Sequence, residues 1–294
     1  MSILAFDMGG SSIKYAIWDD GLKAQSSFKT PKTWDEMKTH LLSVFDSFKD
    51  DYELEGVAFS APGSVNTETG VIGGLSAIPY IHHFNIQEEL ESLFKLSVSL
   101  ENDANCAALA EVWQGKAKDI NNALFVVIGT GIGGAVIQDR KLVKGKNLYG
   151  GEFGLMMLND TLSFSLGATA VNMARRYAKR NNLPQDSVSG EEVFTLARKG
   201  DKIALEEEEN FYNYLAQGIY NIMFTTDPER IILGGGVTQY EPLIPNLKKR
   251  LDARIEKVGL KDYAYDLTAC AFLNDANLVG AVYHFTLQNE RTKT

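Results

Sequence analysis

The sequence predicts an α/β fold in two domains, and three observations carry that expectation. Short apolar strands and amphipathic helices interleave along the whole chain, the alternation that builds α/β sheets. The 294 residues amount to two domains at roughly 150 residues each. A glycine-rich turn joins strand to strand near the start of each half, at Gly9-Gly10 and again at Gly129–Gly134.

In the first half, Ile3 to Phe6 is a short apolar strand ending in Asp7-Met8-Gly9-Gly10-Ser11-Ser12. Ile13, Tyr15 and Ile17 alternate with Lys14, a strand period, and Asp19-Asp20-Gly21 is a turn. Trp34 to Lys49 places Met37, Leu41, Val44, Phe45 and Phe48 on one helical face. Gly56 to Ala61 is a strand closed by Pro62-Gly63, and Ile86 to Phe94 is a helix. Leu96, Val98 and Leu100 alternate with serines into a strand that stops at Glu101-Asn102-Asp103. The alanine-rich helix Ala104 to Trp113 ends at Gly115.

The second half repeats the opening device without repeating the sequence. Leu124 to Ile128 is a buried strand, Gly129-Thr130-Gly131-Ile132-Gly133-Gly134 a turn, and Ala135 to Ile137 a second strand turning at Asp139-Arg140. Helices follow near Thr169 to Asn181, Gly190 to Arg198 and Ala204 to Thr225. Arg230 to Leu233 is a strand, Gly234-Gly235-Gly236 follows it, and a helix runs from about Leu243 to Val258. Leu267 to Phe272 is the last strand and Asn277 to Leu287 the last helix.

Composition narrows the function. Apolar residues make up 45% and charged residues 23%, ordinary globular usage that excludes a disordered or fibrous chain. A net charge of −9 works against nucleic acid and anionic membrane as partners. Cys106 and Cys270 are too few for a disulfide framework or a cysteine-rich zinc site. The first residues lack the basic start of a signal peptide, and the glycine-rich stretch Leu124 to Ile137 is too short to span a bilayer. A soluble protein of a reducing, cytoplasmic compartment is expected. His40, His82, His83 and His284 sit near no cysteine and read as surface or packing residues. Glu206 to Glu209 reads as a solvated helix face.

Gly129-x-Gly131-x-x-Gly134 satisfies the dinucleotide fingerprint on paper. That fingerprint requires a following helix, whose N-terminus meets the pyrophosphate. A strand follows here, so the dinucleotide reading is rejected, and no Walker A sequence exists in the chain. The alternatives are a structural turn or a hairpin whose glycine amides and Thr130 hydroxyl approach a phosphate. Two such turns favour a nucleoside triphosphate clamp. Asp7, at the end of a buried strand, either caps its turn or holds Mg²⁺ through water. Gly9, Gly10, Ser11, Ser12 and Lys14 lie beside it as candidate phosphate contacts, and Gly234-Gly235-Gly236 would suit the flat face of adenosine. Asp103 is either the N-cap of its helix or a base accepting a hydroxyl proton, with Asn102 gripping a neighbouring hydroxyl. Glu152 lies between glycines in Gly150-Gly151-Glu152-Phe153-Gly154.

Asp7-Met8-Gly9-Gly10-Ser11-Ser12, Glu101-Asn102-Asp103-Ala104-Asn105, Gly129-Thr130-Gly131-Ile132-Gly133-Gly134 and Gly151-Glu152-Phe153-Gly154 resemble, in order and spacing, motifs of the ROK family of repressors, open reading frames and sugar kinases. The resemblance runs from Ile3 to about Ala281. It implies an actin-like, duplicated ribonuclease-H-like fold of two lobes with an interdomain cleft. The expected lobes are residues 1–116, joined by the last helix (about 277–294), and residues 117–276. It further implies ATP and Mg²⁺ as cofactors, a sugar hydroxyl as acceptor, Asp103 as catalytic base, and Gly63, Asn102 and Glu152 as sugar ligands. The ATP contacts it implies include Gly129, Thr130, Gly131 and Gly133. Family members are often dimers, so a homodimer is expected by analogy.

One departure separates the chain from many members. They continue with a histidine and a cysteine-rich segment that bind structural zinc. Here Leu155 occupies the histidine position, Thr161 to Gly167 holds no cysteine, and a carboxylate that usually follows is replaced near Ser163 or Ser165. No zinc is expected, and the segment looks more like the β-glucoside kinase branch, which acts on the 6-hydroxyl. A glucokinase or fructokinase of the same family is the alternative. A DNA-binding repressor would need a helix-turn-helix before the first strand, and an actin-like ATPase has no use for Asn102-Asp103 and Glu152.

Overall fold

In the computed structural model, which describes residues 2–291, the chain divides into two units. Unit 1 holds the chain up to Lys118, Gly145–Tyr149 and the chain from Asn274 onward, and unit 2 holds Asp119–Lys144 and Gly150–Leu273.

Unit 1 is built on a five-stranded sheet. Strands β1 (Ser2–Met8), β2 (Ser12–Trp18) and β3 (Leu22–Lys29) form an antiparallel meander, and β4 (Leu54–Ala61) and β7 (Ser97–Asn102) add parallel to β1, in the order β3-β2-β1-β4-β7. A short hairpin, β5 (Ser64–Asn66) and β6 (Val71–Gly73), follows β4. Side chains alternate between the faces of a strand. Leu4, Phe6, Met8, Val57 and Phe59 therefore face helices α1 (Trp34–Phe48) and α2 (Ile86–Phe94), packing on Met37, Leu41, Ile86 and Leu90. Ile3, Ala5 and Ala58 face the other way, onto Cys106 of α3 (Asp103–Gln114) and Leu278, Val282 and Phe285 of the last helix, α9 (Ala276–Arg291). Phe6 and Phe59 stack at 5.1 Å, and burial of each ring contributes about 1.5–3 kcal/mol. Strand β3 leaves no periodic signal because it is an edge strand with most of its residues exposed, so no apolar face is written into it.

Unit 2 has the same strand order and directions. Strands β8 (Ala123–Ile128), β9 (Ile132–Gln138) and β10 (Lys141–Leu142) are antiparallel, and β11 (Arg230–Gly234) and β12 (Leu267–Ala269) run parallel to β8, in the order β10-β9-β8-β11-β12. Leu124, Val126, Ile128, Ile231 and Leu233 pack against helices α4 (Phe164–Gly167), α5 (Ala170–Arg180), α6 (Gly190–Arg198), α7 (Lys202–Thr226) and α8 (Leu243–Lys257) through Phe164, Met173, Phe194, Leu215, Ile219 and Leu247. The glycine turn after β8 enters antiparallel β9, not a helix, so the dinucleotide reading fails on topology as the sequence suggested. The final strand stops at Ala269, three residues earlier than the apolar run implies. Among the described residues no helix is long and apolar enough to cross a membrane.

Candidate active site

Register assembles a polar row across unit 1. Lys14 pairs with Asp7, Asp7 with Ser60, and Ser60 with Glu101. Partners in register share a sheet face, so the four stand side by side at the carboxyl ends of β1, β4 and β7. Open parallel sheets present their ligands at that end. Asp7 is buried, and its Oδ1 accepts hydrogen bonds from Ser60 Oγ at 2.8 Å and Asn277 Nδ2 at 3.0 Å. Lys14 Nζ donates to the Asn274 carbonyl at 3.3 Å, so the lysine lies within β2 and not in the turn.

Glu101, also buried, organises the junction of β7 and α3. Its Oε1 accepts from the Asn102 backbone N–H at 2.8 Å and from Asn105 Nδ2 at 3.0 Å. The N-cap of α3 is Asn102, whose Oδ1 accepts from the Asn105 N–H at 3.1 Å. The capping alternative for Asp103 is thereby corrected: Asp103 is the first helical residue, and the residue before it satisfies the helix end. Asp103 Oδ1 accepts from the Ala104 N–H at 2.8 Å, placing a carboxylate at the positive end of the helix dipole. Burial, then the charges of Glu101, Asp7 and Asp103, push the Cys106 thiol well above its ordinary value. The Cys106 Sγ itself donates to the Glu101 backbone carbonyl at 3.8 Å.

The β1–β2 turn is braced on both sides. The Gly9 N–H donates to the Ser12 carbonyl at 3.1 Å, Thr30 Oγ1 donates to the Gly9 carbonyl at 2.6 Å, and the Thr30 N–H donates to the Ser11 carbonyl. Gly10 packs so closely on Ala77 that a Cβ there would sit 2.6 Å from the alanine methyl. Gly63 receives Asn102 Nδ2 on its carbonyl at 3.0 Å and lies against His82 and Gly73. His82 is buried and 2.7 Å from Ser76 Oγ, which also accepts from the Ile78 N–H. Burial first, then the neighbouring His83, lowers the His82 pKa, opposed by a hydrogen bond to the Gly74 backbone. Nothing about the spacing of His82 or Ser76 in the sequence signals this; they come together across the 3-10 turn Pro79–Ile81.

In unit 2, the Gly129 N–H donates to the Gly131 carbonyl at 2.9 Å, which closes the β8–β9 turn with Gly129 and Thr130 exposed. Gly133 lies in β9, paired with Val127. The third glycine of the fingerprint has a packing reason: a Cβ on Gly134 would meet the Phe153 ring at 2.7 Å. The turn bearing Glu152 therefore rests on the β9 hairpin. Ser165 joins the two, since its Oγ accepts from the Ile132 N–H at 2.8 Å and fills the space a Cβ on Gly154 would take. Ser163 caps α4 instead. Glu152 is exposed on one side, and desolvation on the other raises its carboxyl above the usual value.

A cavity of about 570 Å³ opens beside the β8–β9 turn. Gly129 and Thr130 lie on one wall, Gly236 and Tyr240 on another, and Ala170 and Phe194 bring helices α5 and α6 to it. Phe194 stacks on Tyr240 at 4.3 Å. Of the three successive glycines only Gly236 reaches the cavity; Gly234 packs on Phe125, and Gly235 turns the chain over Ile128 with φ +92°. Unit 2 thus brings Gly129, Thr130 and Gly236 together, while α5 and α6 contribute residues with no distinguishing sequence pattern. Among the described residues no group of three or more His, Cys, Asp or Glu side chains is arranged to hold a metal ion.

The chain is 34% identical to a β-glucoside kinase of Listeria monocytogenes, over 99% of both chains. It is 36% identical to a β-glucoside kinase of Klebsiella pneumoniae, over 97% of this chain and 96% of that one. A crystal structure of a ROK family protein from Streptococcus pneumoniae in complex with sucrose superposes with a TM-score of 0.88 at 36% identity, covering 99% of this chain and 100% of that one. Residues 3–287 match the model of the ROK family, and the chain belongs to that family.

Proposed function

We propose that this carbohydrate kinase transfers the γ-phosphoryl group of ATP to the 6-hydroxyl of a hexose, with the glucose unit of a β-glucoside as preferred acceptor. The observation that carries the reading is the β7–α3 junction. A buried Glu101 and a capping Asn102 hold Asp103 at the end of a parallel strand, beside the row containing Asp7.

In this reading Asp103 orients the acceptor hydroxyl and takes its proton as the new O–P bond forms. Phosphoryl transfer has a loose transition state, so positioning matters more than deprotonation. Asn102 uses one amide hydrogen on Gly63 and one lone pair on the helix, and its second amide hydrogen is the donor offered to a sugar hydroxyl. Glu152 supplies a further carboxylate acceptor for sugar hydroxyls. In unit 1, Gly9, Gly10, Ser11, Ser12 and Lys14 are the residues offered to phosphate; in unit 2, Gly129, Thr130, Gly131 and Gly133 are offered to phosphate, and the cavity lined by Thr130, Gly236 and Tyr240 takes adenosine.

The donor set fits Mg²⁺ held through water. Asp7 is a single carboxylate whose Oδ1 takes the hydrogen bonds from Ser60 and Asn277, and Mg²⁺ keeps most of its hydration shell. The ion, when bound with ATP, neutralises charge on the transferring phosphoryl group. The names of the two relatives favour a β-glucoside over free glucose.

The test is ADP release measured over glucose, fructose, mannose, N-acetyl sugars, cellobiose and gentiobiose. A β-linked disaccharide giving the highest kcat/KM supports the reading. ADP release that no sugar stimulates overturns it.

A further inference from the structure

We propose that residues 74–78 and Tyr149 form a second subsite in unit 1, which takes the ring carried on the anomeric oxygen of the acceptor. The proposal rests on the β-glucoside kinase reading and names the residues that select such a substrate.

Leu75 is 98% exposed, more than any other large apolar residue among those described. Its loop is nevertheless fixed. Ser76 Oγ accepts from the Ile78 N–H at 3.1 Å and lies 2.7 Å from His82 Nε2, and Ala77 packs on Gly10. With Ser76 already accepting one hydrogen, its own hydroxyl proton goes to a neutral His82, which burial favours. The loop therefore holds Leu75 outward on a rigid base.

Tyr149, half exposed, stands next to this loop: a Cβ on Gly74 would lie 3.5 Å from its hydroxyl. The base of the loop is the wall of the candidate sugar site. Gly63, tied to Asn102, lies against Gly73 and His82. A sugar seated on Asn102 and Gly63 thus has Leu75 and Tyr149 as its next apolar neighbours along the loop. An aliphatic tip beside an aromatic ring suits the flat face of a ring, through C–H contacts with a second pyranose or stacking with an aryl group. Residues 70–81 carry no charged side chain, so the ring is neutral. Two ring chemistries share this face, and separate substrates distinguish them.

The experiment uses the full-length chain with glucose, methyl β-glucoside, cellobiose and phenyl β-glucoside as acceptors. Variants are Leu75→Ser, Tyr149→Ala and Tyr149→Phe. Tyr149→Ala should lower kcat/KM for the ring-bearing acceptors by about tenfold, the scale of losing one apolar contact in a pocket, chiefly through KM. Methyl β-glucoside and glucose should stay within about twofold on the same scale. Tyr149→Phe keeps the ring and should restore wild-type values, and Leu75→Ser should act in the same direction as Tyr149→Ala. A loss confined to phenyl β-glucoside assigns the subsite to aryl groups, and a loss on both ring-bearing acceptors assigns it to rings in general. Equal losses on all four acceptors, or none on any, overturn the proposal while the kinase reading stands. A wild-type protein that phosphorylates none of the four overturns the kinase reading and the subsite together.

Discussion

Asn102 Nδ2 donates to the carbonyl of Gly63 at 3.0 Å while Asn102 Oδ1 caps helix α3. One side chain therefore fixes the start of the helix and the loop after β4, whose residues are 39 apart in the chain. The two ends of the amide do separable work, and substitutions can take them apart.

Asn102→Asp keeps an oxygen for the cap but loses the N–H aimed at Gly63. Helix stability should change little, since Asp caps about as well as Asn, while the sugar KM rises as the Gly63 loop loosens. Asn102→Ala removes both functions and should cost about 2 kcal/mol, from a cap worth about 1 and a neutral hydrogen bond worth about 1. Thermal unfolding and sugar KM, measured on both variants, check this. Equal melting temperatures for the two would contradict the assignment of the cap.

Ser165 supplies the acceptor for the Ile132 N–H beside the phosphate-loop candidate. Ser165→Ala leaves that donor without its partner, at about 1–3 kcal/mol if water does not replace it. The β8–β9 turn carries Gly129 and Thr130, so the nucleotide KM should rise more than the sugar KM. A sugar KM rising alone would place Ser165 outside the nucleotide site.

Much of this site was legible in the sequence where a residue type is forced by a turn or strand end. Asp7 stands in β1, where a carboxylate in an apolar strand announces itself, and Asn102-Asp103 mark the strand-to-helix junction. Gly129 and Thr130 mark a hairpin because a strand period resumes after them. Residues that act through tertiary contact gave no such signal. Ser60 joins Asp7 only through the β1–β4 register, and Asn277 reaches Asp7 across 270 positions. Phe194 and Tyr240 meet at the cavity beside the β8–β9 turn, from α6 and the turn before α8. Helical spacing alone gives Phe194 a core role, which it also fills.

His82 predicts a pH dependence of stability. Burial, and secondarily His83, lower its pKa below 6.5 in the folded protein. Both folded and unfolded forms are neutral there above about pH 7.5, so the contribution is then fully present. As pH falls through 6.5, the unfolded chain takes up a proton that folded His82 resists, and stability is lost. The melting temperature of the wild type should therefore fall more steeply between about pH 7.5 and 5.5, roughly one unit either side of the ordinary histidine value, than that of His82→Gln, which cannot titrate. Parallel curves would show that His82 does not resist protonation.

Asp103→Asn tests the chemistry most directly, because Asn102 already holds the cap of α3. The substitution leaves the capping hydrogen bond untouched and removes only a negative charge from the first turn. That charge contributes about 0.3–1 kcal/mol through the helix dipole, a small change in melting temperature. Asn is nearly the same size and keeps an oxygen for the Ala104 N–H and for the sugar hydroxyl, so sugar and ATP binding should persist in calorimetry. What it cannot do is accept the hydroxyl proton as the O–P bond forms. With Asp103 as base, kcat falls by about 10²–10⁴, the share general acid–base catalysis usually supplies. With Asp103 serving only the helix, kcat on the best sugar stays near wild type. The base assignment stands or falls on that single rate, measured on protein whose folding and ligand binding are shown to be intact.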